Sequence, residues 1–137
     1  MDTARENAVL NMTEDRTKFF LGNIFDGLPL QKYDIIVSNP PYIRTNEING
    51  LMEDVREFEP HSALNGGDDG LDFYREIASK GSLLLNQNGC IFFEIGYDQS
   101  ADVAYILEKN GFENIRIIKD LSGLDRVVAA SKEDIDV

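Results

Sequence analysis

The sequence predicts an α/β fold built on a mostly parallel sheet, and three observations carry that prediction. Six-residue segments rich in apolar residues, at 33–38 and 90–95, have the length of buried strands. Apolar residues at helical spacing fill the stretch 71–85 between them and recur over 99–109. Glycines, alone or after asparagine, punctuate most of the junctions. Strands that alternate with helices imply parallel strands joined by crossovers, with helices over both faces of the sheet.

Residues 3–12 read as a helix with Ala4, Ala8, Val9 and Met12 on one side. Residues 17–22 read as a short strand ended by Gly22-Asn23. The strand at 33–38 runs straight into Asn39-Pro40-Pro41-Tyr42, and two consecutive prolines cannot continue inside a sheet. Residues 43–70 are irregular, with Gly66-Gly67-Asp68-Asp69-Gly70 as a flexible turn cluster. The helix over 71–85 carries Leu71, Tyr74, Ile77, Ala78, Gly81, Leu84 and Leu85 on one side. Asn88-Gly89 reads as a turn ahead of the strand at 90–95, which Gly96 closes. The helix over 99–109 carries Val103, Ala104, Ile106 and Leu107, and Gly111 suits its C-terminal cap. The last strands, 112–119 and 126–130, have no helix between them and are therefore expected as antiparallel neighbours. The tail from Ser131 is polar and expected to fray.

At 137 residues the chain suits one domain, and 42% hydrophobic with 28% charged residues fits a globular protein. No apolar run reaches the length of a membrane span and the N-terminus has no apolar signal region, so a cytoplasmic protein without a membrane partner is expected. The single cysteine, Cys90, sits in an apolar run and reads as a small buried hydrophobe. The net charge is −12, and Arg5, Arg16, Lys18, Lys32, Arg44, Arg56 and Arg75 are scattered. Direct nucleic-acid binding needs a basic face, so the charge disfavours it and permits a basic protein partner.

The chemistry lies in Asn39-Pro40-Pro41-Tyr42. The loop follows a buried parallel strand, at the end of the sheet where open α/β folds place ligands. Asn39 offers a side-chain carbonyl acceptor. The prolines fix the backbone and donate no N–H, so the Pro40 carbonyl can be aimed at a ligand. A planar –NH2 group could give one proton to Asn39 and one to Pro40, leaving its lone pair toward an electrophile while Tyr42 packs on its plane. As a bare tetrapeptide it reads equally as a rigid turn; its place after the strand favours a catalytic loop. His61, the only histidine, has no partner ligands, so no metal site is expected and it reads as a loop residue. Glu94 is either a functional buried carboxylate or a cap on the following turn through Gly96 or Tyr97, the cap being favoured. The Gly66–Gly70 cluster follows no strand and carries Asp68 and Asp69, which argues against a phosphate cradle.

Several segments in order extend this reading. They are Ala4-Arg5-Glu6-Asn7-Ala8, Gly22-Asn23-Ile24-Phe25, Ser38-Asn39-Pro40-Pro41-Tyr42-Ile43 and Glu59-Pro60-His61-Ser62-Ala63-Leu64 with Gly66-Gly67 and Asp69-Gly70-Leu71. Phe93-Glu94-Ile95-Gly96 with Gln99, and Asp120-Leu121-Ser122-Gly123 with Asp125-Arg126, complete the set. Together they resemble the HemK (PrmC-type) protein-(glutamine-N5) methyltransferases, which carry an Asn/Asp-Pro-Pro-aromatic loop after their fourth strand. The resemblance implies a Rossmann-like class I methyltransferase fold, S-adenosylmethionine as cofactor, and the Gly-Gly-Gln glutamine of a peptide chain release factor as methyl acceptor. It implies a catalytic loop of Asn39, Pro40, Pro41 and Tyr42. It also implies cofactor contacts from Asn23, Ile24 and Phe25 beside the adenine, and from Asn39; an Asp is more usual where Asn23 stands.

No Gly-rich turn precedes Ala4. Residues 1–137 are therefore expected to be part of a catalytic domain, without the first two strands and the Gly-rich loop, and to bind the cofactor weakly. Residues 17–22 would correspond to the family's third strand and 33–38 to its fourth, which are not neighbours. The apolar edge Ile35-Ile36-Val37 is then expected to take up residues 1–25 or a second copy of the chain, giving a homo-oligomer. An adenine-N6 DNA or RNA methyltransferase and a non-catalytic interaction module are the alternatives. The charge and the stretch 59–71 weigh against the first.

Overall fold

The computed structural model describes residues 2–27, 29, 31–50 and 61–132, and of Asn49, His61 and Ser62 the backbone only. Helix α1 spans Asp2–Leu10, strand β1 Tyr33–Ser38, the short helix α2 His61–Leu64 and helix α3 Asp72–Leu84. Strand β2 spans Leu85–Glu94, helix α4 Ser100–Lys109, and strands β3 and β4 Glu113–Lys119 and Asp125–Ser131. The sheet order is β1-β2-β4-β3. β1 and β2 are parallel, and β4 runs antiparallel to both β2 and β3. The C-terminal ends of β1, β2 and β3 therefore share one end of the sheet.

The alternation of side chains along the strands decides where the core lies. Ile91, Phe93 and Ile95 point to one face, and the register adds Ile36 from β1 and Val128 and Ala130 from β4. Helix α3 lays Tyr74, Ile77 and Ala78 on that face, at i, i+3 and i+4, and α4 lays Val103, Ile106 and Leu107 there. Gly81 permits the approach, since a Cβ there would already be 3.3 Å from the Ile91 Cδ1. The Tyr74 ring meets Phe93 edge-on, with centroids 5.2 Å apart. Helix α4 stops where Gly111 takes φ +79°. The Phe112 N–H returns to the Leu107 carbonyl at 3.1 Å and the Gly111 N–H to that of Glu108 at 3.0 Å. This is a Schellman ending, with Phe112 buried behind it.

The expected strands at 33–38, 90–95, 112–119 and 126–130 and the antiparallel hairpin are present. Other expectations are corrected. Residues 17–22 form no strand, and Phe20 and Leu21 are exposed. A strand is held by its neighbour's backbone, and among the described residues none pairs with the outer edge of β1, so the expected pairing of residues 1–25 there is not formed. The sheet is mixed rather than mostly parallel because β4 runs antiparallel to both its neighbours, and α3 and α4 cover one face only. The other face leaves Ile35 and Val37 60% and 75% exposed, beside Phe92 and Ile118. Cys90 lies half-buried on that bare face rather than in the core.

Asn88-Gly89 is not a turn between elements but an irregularity inside β2. Asn88 adopts φ +59°, and the register jumps from Tyr33↔Leu85 to Ile35↔Cys90. Leu85 leaves the helix as its C-cap and opens β2. Helix α1 ends before Met12, which takes φ 52°, and Ala8 alone of its expected apolar side is buried. Ser131 is held in β4, and the Lys132 N–H donates to the Gly89 carbonyl at 2.8 Å, so fraying does not begin there. Residues 133–137 of the tail lie outside the described residues. Among the described residues no helix is long and apolar enough to cross a membrane.

The one-sided core gives a direct contrast. Phe93→Ala should cost about 3–5 kcal/mol. Val37→Ala, on the bare face, should stay within roughly 0.5 kcal/mol. Urea unfolding of both variants measures this, and equal losses would show that the bare face is covered in solution.

Candidate functional site

β1 delivers Asn39 directly to the C-terminal end of the sheet. Pro40 is buried, Pro41 and Tyr42 are half-buried, and Asn39 is exposed. With Ile43, Ala63 and Leu64 these four residues line a hollow of about 200 Å³. The structure thus brings the four expected catalytic residues together in one wall.

The loop is pinned from behind. The Ile43 N–H donates to the Leu64 carbonyl at 3.0 Å, and the Gly66 N–H returns to the Ile43 carbonyl at 2.9 Å. The Thr45 N–H extends this short parallel ladder to the Gly67 carbonyl at 3.0 Å. Glycine is required where the two backbones meet. A Cβ on Gly66 would stand 2.8 Å from the Pro41 oxygen and from the Tyr42 Cα. Gly70 has φ +77°, and a Cβ there would be 2.4 Å from the Tyr42 oxygen. The cluster expected as a flexible turn is therefore a close-packed bearing for the Pro-Pro-Tyr backbone. The sequence spacing of Gly66, Gly67 and Gly70 was the available signal, but only the tertiary contact gives it meaning.

Gln99, the residue before α4, is 2% exposed and fully hydrogen-bonded. Its Nε2 donates to the Tyr42 carbonyl at 3.1 Å and to the Gly70 carbonyl at 3.3 Å. Its Oε1 accepts the Gly96 N–H at 3.0 Å. Gln99, not Glu94, thus caps the turn after β2. Glu94 contributes its backbone carbonyl, which accepts the Tyr74 hydroxyl at 2.9 Å. Burial, with Tyr42 and Glu94 nearby, pushes the Tyr74 phenol up, so it stays a donor.

Two residues past Tyr42, Arg44 donates to Asp98 at 2.9 Å and to Glu47 at 3.3 Å, and the Asp98 hydrogen bond raises its pKa further. On the other flank Asp69 accepts the Leu71 N–H at 3.1 Å and pairs with Arg75, whose hydrogen bonds hold its carboxyl below 3.8.

The expected adenine-side residues occupy a separate hollow of about 310 Å³, lined by Phe20, Leu21, Gly22, Asn23, Ile24, Gly27 and Pro29. It shares no lining residue with the loop's hollow. Asn23 Oδ1 accepts the Phe25 N–H at 3.1 Å in a local turn. The Ile24 carbonyl accepts Lys80, which also pairs with Glu76 at 2.6 Å. Phe25 stands edge-on to Phe73 of α3 at 5.0 Å. His61 opens α2 rather than lying in a loop, and its side chain, like Glu59 and Pro60, is outside the described residues. Among the described residues no three His, Cys, Asp or Glu side chains converge as a metal would need.

Sheet order and loop position define the class. A methyltransferase from Pyrococcus furiosus matches with a TM-score of 0.62 over 98% of this chain and 60% of its own, at 18% identity. An O-methyltransferase family protein from Burkholderia thailandensis matches with 0.59 over 98% and 41%, at 14% identity. At such identities the likeness is one of fold, and the fold is that of the class I methyltransferases. No family model matches the chain. Its sequence relatives are more specific: the chain belongs to the release factor glutamine methyltransferase family. It is 45% identical over 133 residues to the release factor glutamine methyltransferase of Clostridium botulinum, covering 96% of this chain and 47% of the relative. The protein of that name from Clostridium acetobutylicum is 49% identical over 120 residues, covering 85% and 42%, and that from Aquifex aeolicus 44% over 132, covering 96% and 46%. The chain spans about half the length of these relatives.

Two outcomes follow from the packing. Gly70→Ala should destabilise by about 1–3 kcal/mol, because the new Cβ meets a carbonyl in a backbone conformation that disfavours it; an unchanged melting temperature would contradict the close approach. The depressed Asp69 pKa means its contribution to stability is complete above the ordinary value of 3.8 and is lost as the pH falls through the lower folded value. Asp69→Asn should lower stability near neutrality, where that contribution is complete, and flatten the acid limb of the stability-versus-pH curve, so that variant and wild type converge at low pH; curves that stay parallel down to low pH would contradict the coupling.

Proposed function

We propose that residues 1–137 form part of the catalytic domain of an S-adenosylmethionine-dependent N-methyltransferase, acting on the glutamine side-chain amide of a peptide chain release factor. The observation that supports this most is the placement of Asn39 and Pro40 at the C-terminal end of β1, on a loop whose backbone is fixed by the glycine bearing. The four-stranded sheet is taken as the matching part of a Rossmann-like domain.

In this reading the substrate amide enters beside Asn39. One N–H proton goes to the Asn39 Oδ1 and the other to the Pro40 carbonyl, whose direction the proline backbone restricts. Two acceptors fix the plane of the amide and draw electron density toward its nitrogen. Tyr42 packs on that plane and keeps water from the acceptors. The pinned loop means these acceptors need little reorganisation during reaction. The cofactor, when bound, supplies an electrophilic methyl group on a sulfonium. The hollow around Ile24, with the Phe25–Phe73 pair beside it, would take the adenine, with the Asn23 Nδ2 donating to the ring. Asn39 would face both amide and methyl donor.

The charge of −12 and the scattered cations favour a protein over a nucleic acid as partner. A release factor places the reaction in the cytoplasm. The same loop could hold an adenine amine, and activity on a release factor against an oligonucleotide distinguishes the two substrates. Calorimetric titration with S-adenosylmethionine distinguishes either enzyme from a binding module.

Asn39→Ala in the full-length protein should lose ~2.7–4 kcal/mol of barrier lowering, roughly a hundredfold to thousandfold in turnover, with cofactor affinity little changed. Wild-type turnover would remove Asn39 from this role. Tyr42→Phe should keep most of the activity that Tyr42→Ala loses; equal losses would shift the role to the hydroxyl.

A further inference from the structure

We propose that Gln99 is a positioning residue for the catalytic loop, acting through the Tyr42 carbonyl. The proposal deepens the methyltransferase reading and rests on it only for what the loop does, not for how the loop is held.

Three backbone groups converge at this point of the fold, from three separate segments. They are the Tyr42 carbonyl from the loop after β1, the Gly70 carbonyl ahead of α3, and the Gly96 N–H from the turn after β2. Two of them are acceptors, so they cannot satisfy each other. The Gly70 carbonyl hydrogen bond is buried and the other two are partly buried, so leaving these groups unpaired costs more than the net gain of one hydrogen bond. A neutral primary amide offers two N–H donors and one acceptor, the complement of this set. Gln99 places that amide at 3.1, 3.3 and 3.0 Å from the three groups while 2% exposed. Its position just before α4 fixes it to a helix packed on the core through Val103 and Leu107. The loop is thereby tied to the rigid part of the molecule by one side chain.

The alternatives at this position are chemically poorer. A carboxylate would turn a lone pair toward two carbonyl oxygens. An aliphatic residue would leave all three groups unpaired. Asparagine keeps the chemistry but is one methylene short. The proline-rich loop has no internal ladder on the Asn39–Tyr42 side, since Pro40 and Pro41 have no N–H to give. The Tyr42 carbonyl is therefore a fixed point from which the orientation of the Pro40 carbonyl and the Asn39 side chain follows.

The test uses the full-length protein with two readouts. Amide hydrogen exchange of Gln99→Leu should rise by about tenfold in the segments carrying Ile43, Gly66 and Gly96, with α3 and β2 unchanged. In assays on a release factor, kcat should fall at least tenfold while the KM for S-adenosylmethionine stays within about twofold. Uniform exchange throughout the molecule would mark Gln99 as merely structural, and unchanged loop exchange would overturn the proposal outright. Gln99→Glu is the second variant, useful if the leucine variant does not fold. It keeps the acceptor for Gly96, and protonation restores one donor, so loop protection factors should recover as the pH is lowered; protection that never recovers would count against a hydrogen-bonding role. If the wild-type protein methylates no release factor, the proposed substrate fails, and the exchange data still decide whether Gln99 positions the loop.

Discussion

The Tyr42 carbonyl is the point on which the candidate site depends. It is approached by Gly70, accepts from Gln99, and lies between the two prolines and the short ladder through Ile43. Two prolines remove donors from the loop, so it cannot hold itself by backbone pairing. Its geometry has to come from other segments, and the glycines and the buried amide supply it. This is the physical sense in which the stretch 64–70 and the turn after β2 belong to the site although neither lines the hollow beside Asn39 in full.

The sheet distributes its roles by side. One face, with Ile91, Phe93 and Val128, is closed by α3 and α4 and carries the core. The other, with Ile35, Val37 and Phe92, is left without a covering helix among the described residues. Helix α4 holds Gln99 at its start, and β1 ends in the loop. The packed face therefore carries the rigidity of the core to the site. At the far edge the hairpin is locked locally, with Asp120 accepting the Ser122 and Leu124 N–H groups and pairing with Arg126. Arg126 also donates to the Ile95 carbonyl, joining the hairpin to the end of β2.

Much of the fold was legible because its causes are local or periodic. The strand at 33–38 keeps its expected bounds, since a run of apolar residues followed by Pro-Pro has one natural end. Gly111 closes α4 as its sequence position implies, because the left-handed cap favours glycine there whatever surrounds it. The hairpin follows from the absence of a crossover. The segment 17–22 failed for the opposite reason: its composition suits a strand, but a strand exists only with a partner, and the partner is not a property of the segment. The mixed character of the sheet has a separate cause, the antiparallel pairing of β4 with both β2 and β3.

The sequence by itself determined that Asn39-Pro40-Pro41-Tyr42 ends a strand, that Asn39 and Pro40 carry acceptors there, and which family the ordered motifs resemble, but not that the strand lies at the sheet edge with Ile35 and Val37 exposed. What it determined depends on residue type and spacing. Only the tertiary structure decided what fixes that loop. The Gly66–Gly70 stretch reads as loose until the Tyr42 backbone is seen against it, and Gln99 reads as one polar residue before a helix until three distant backbone groups meet its amide. Hydrogen bonds between residues 29 and 57 positions apart leave no local pattern. Their partners are selected by the packing of α3 and α4 on the sheet, so they become visible only once the chain has folded.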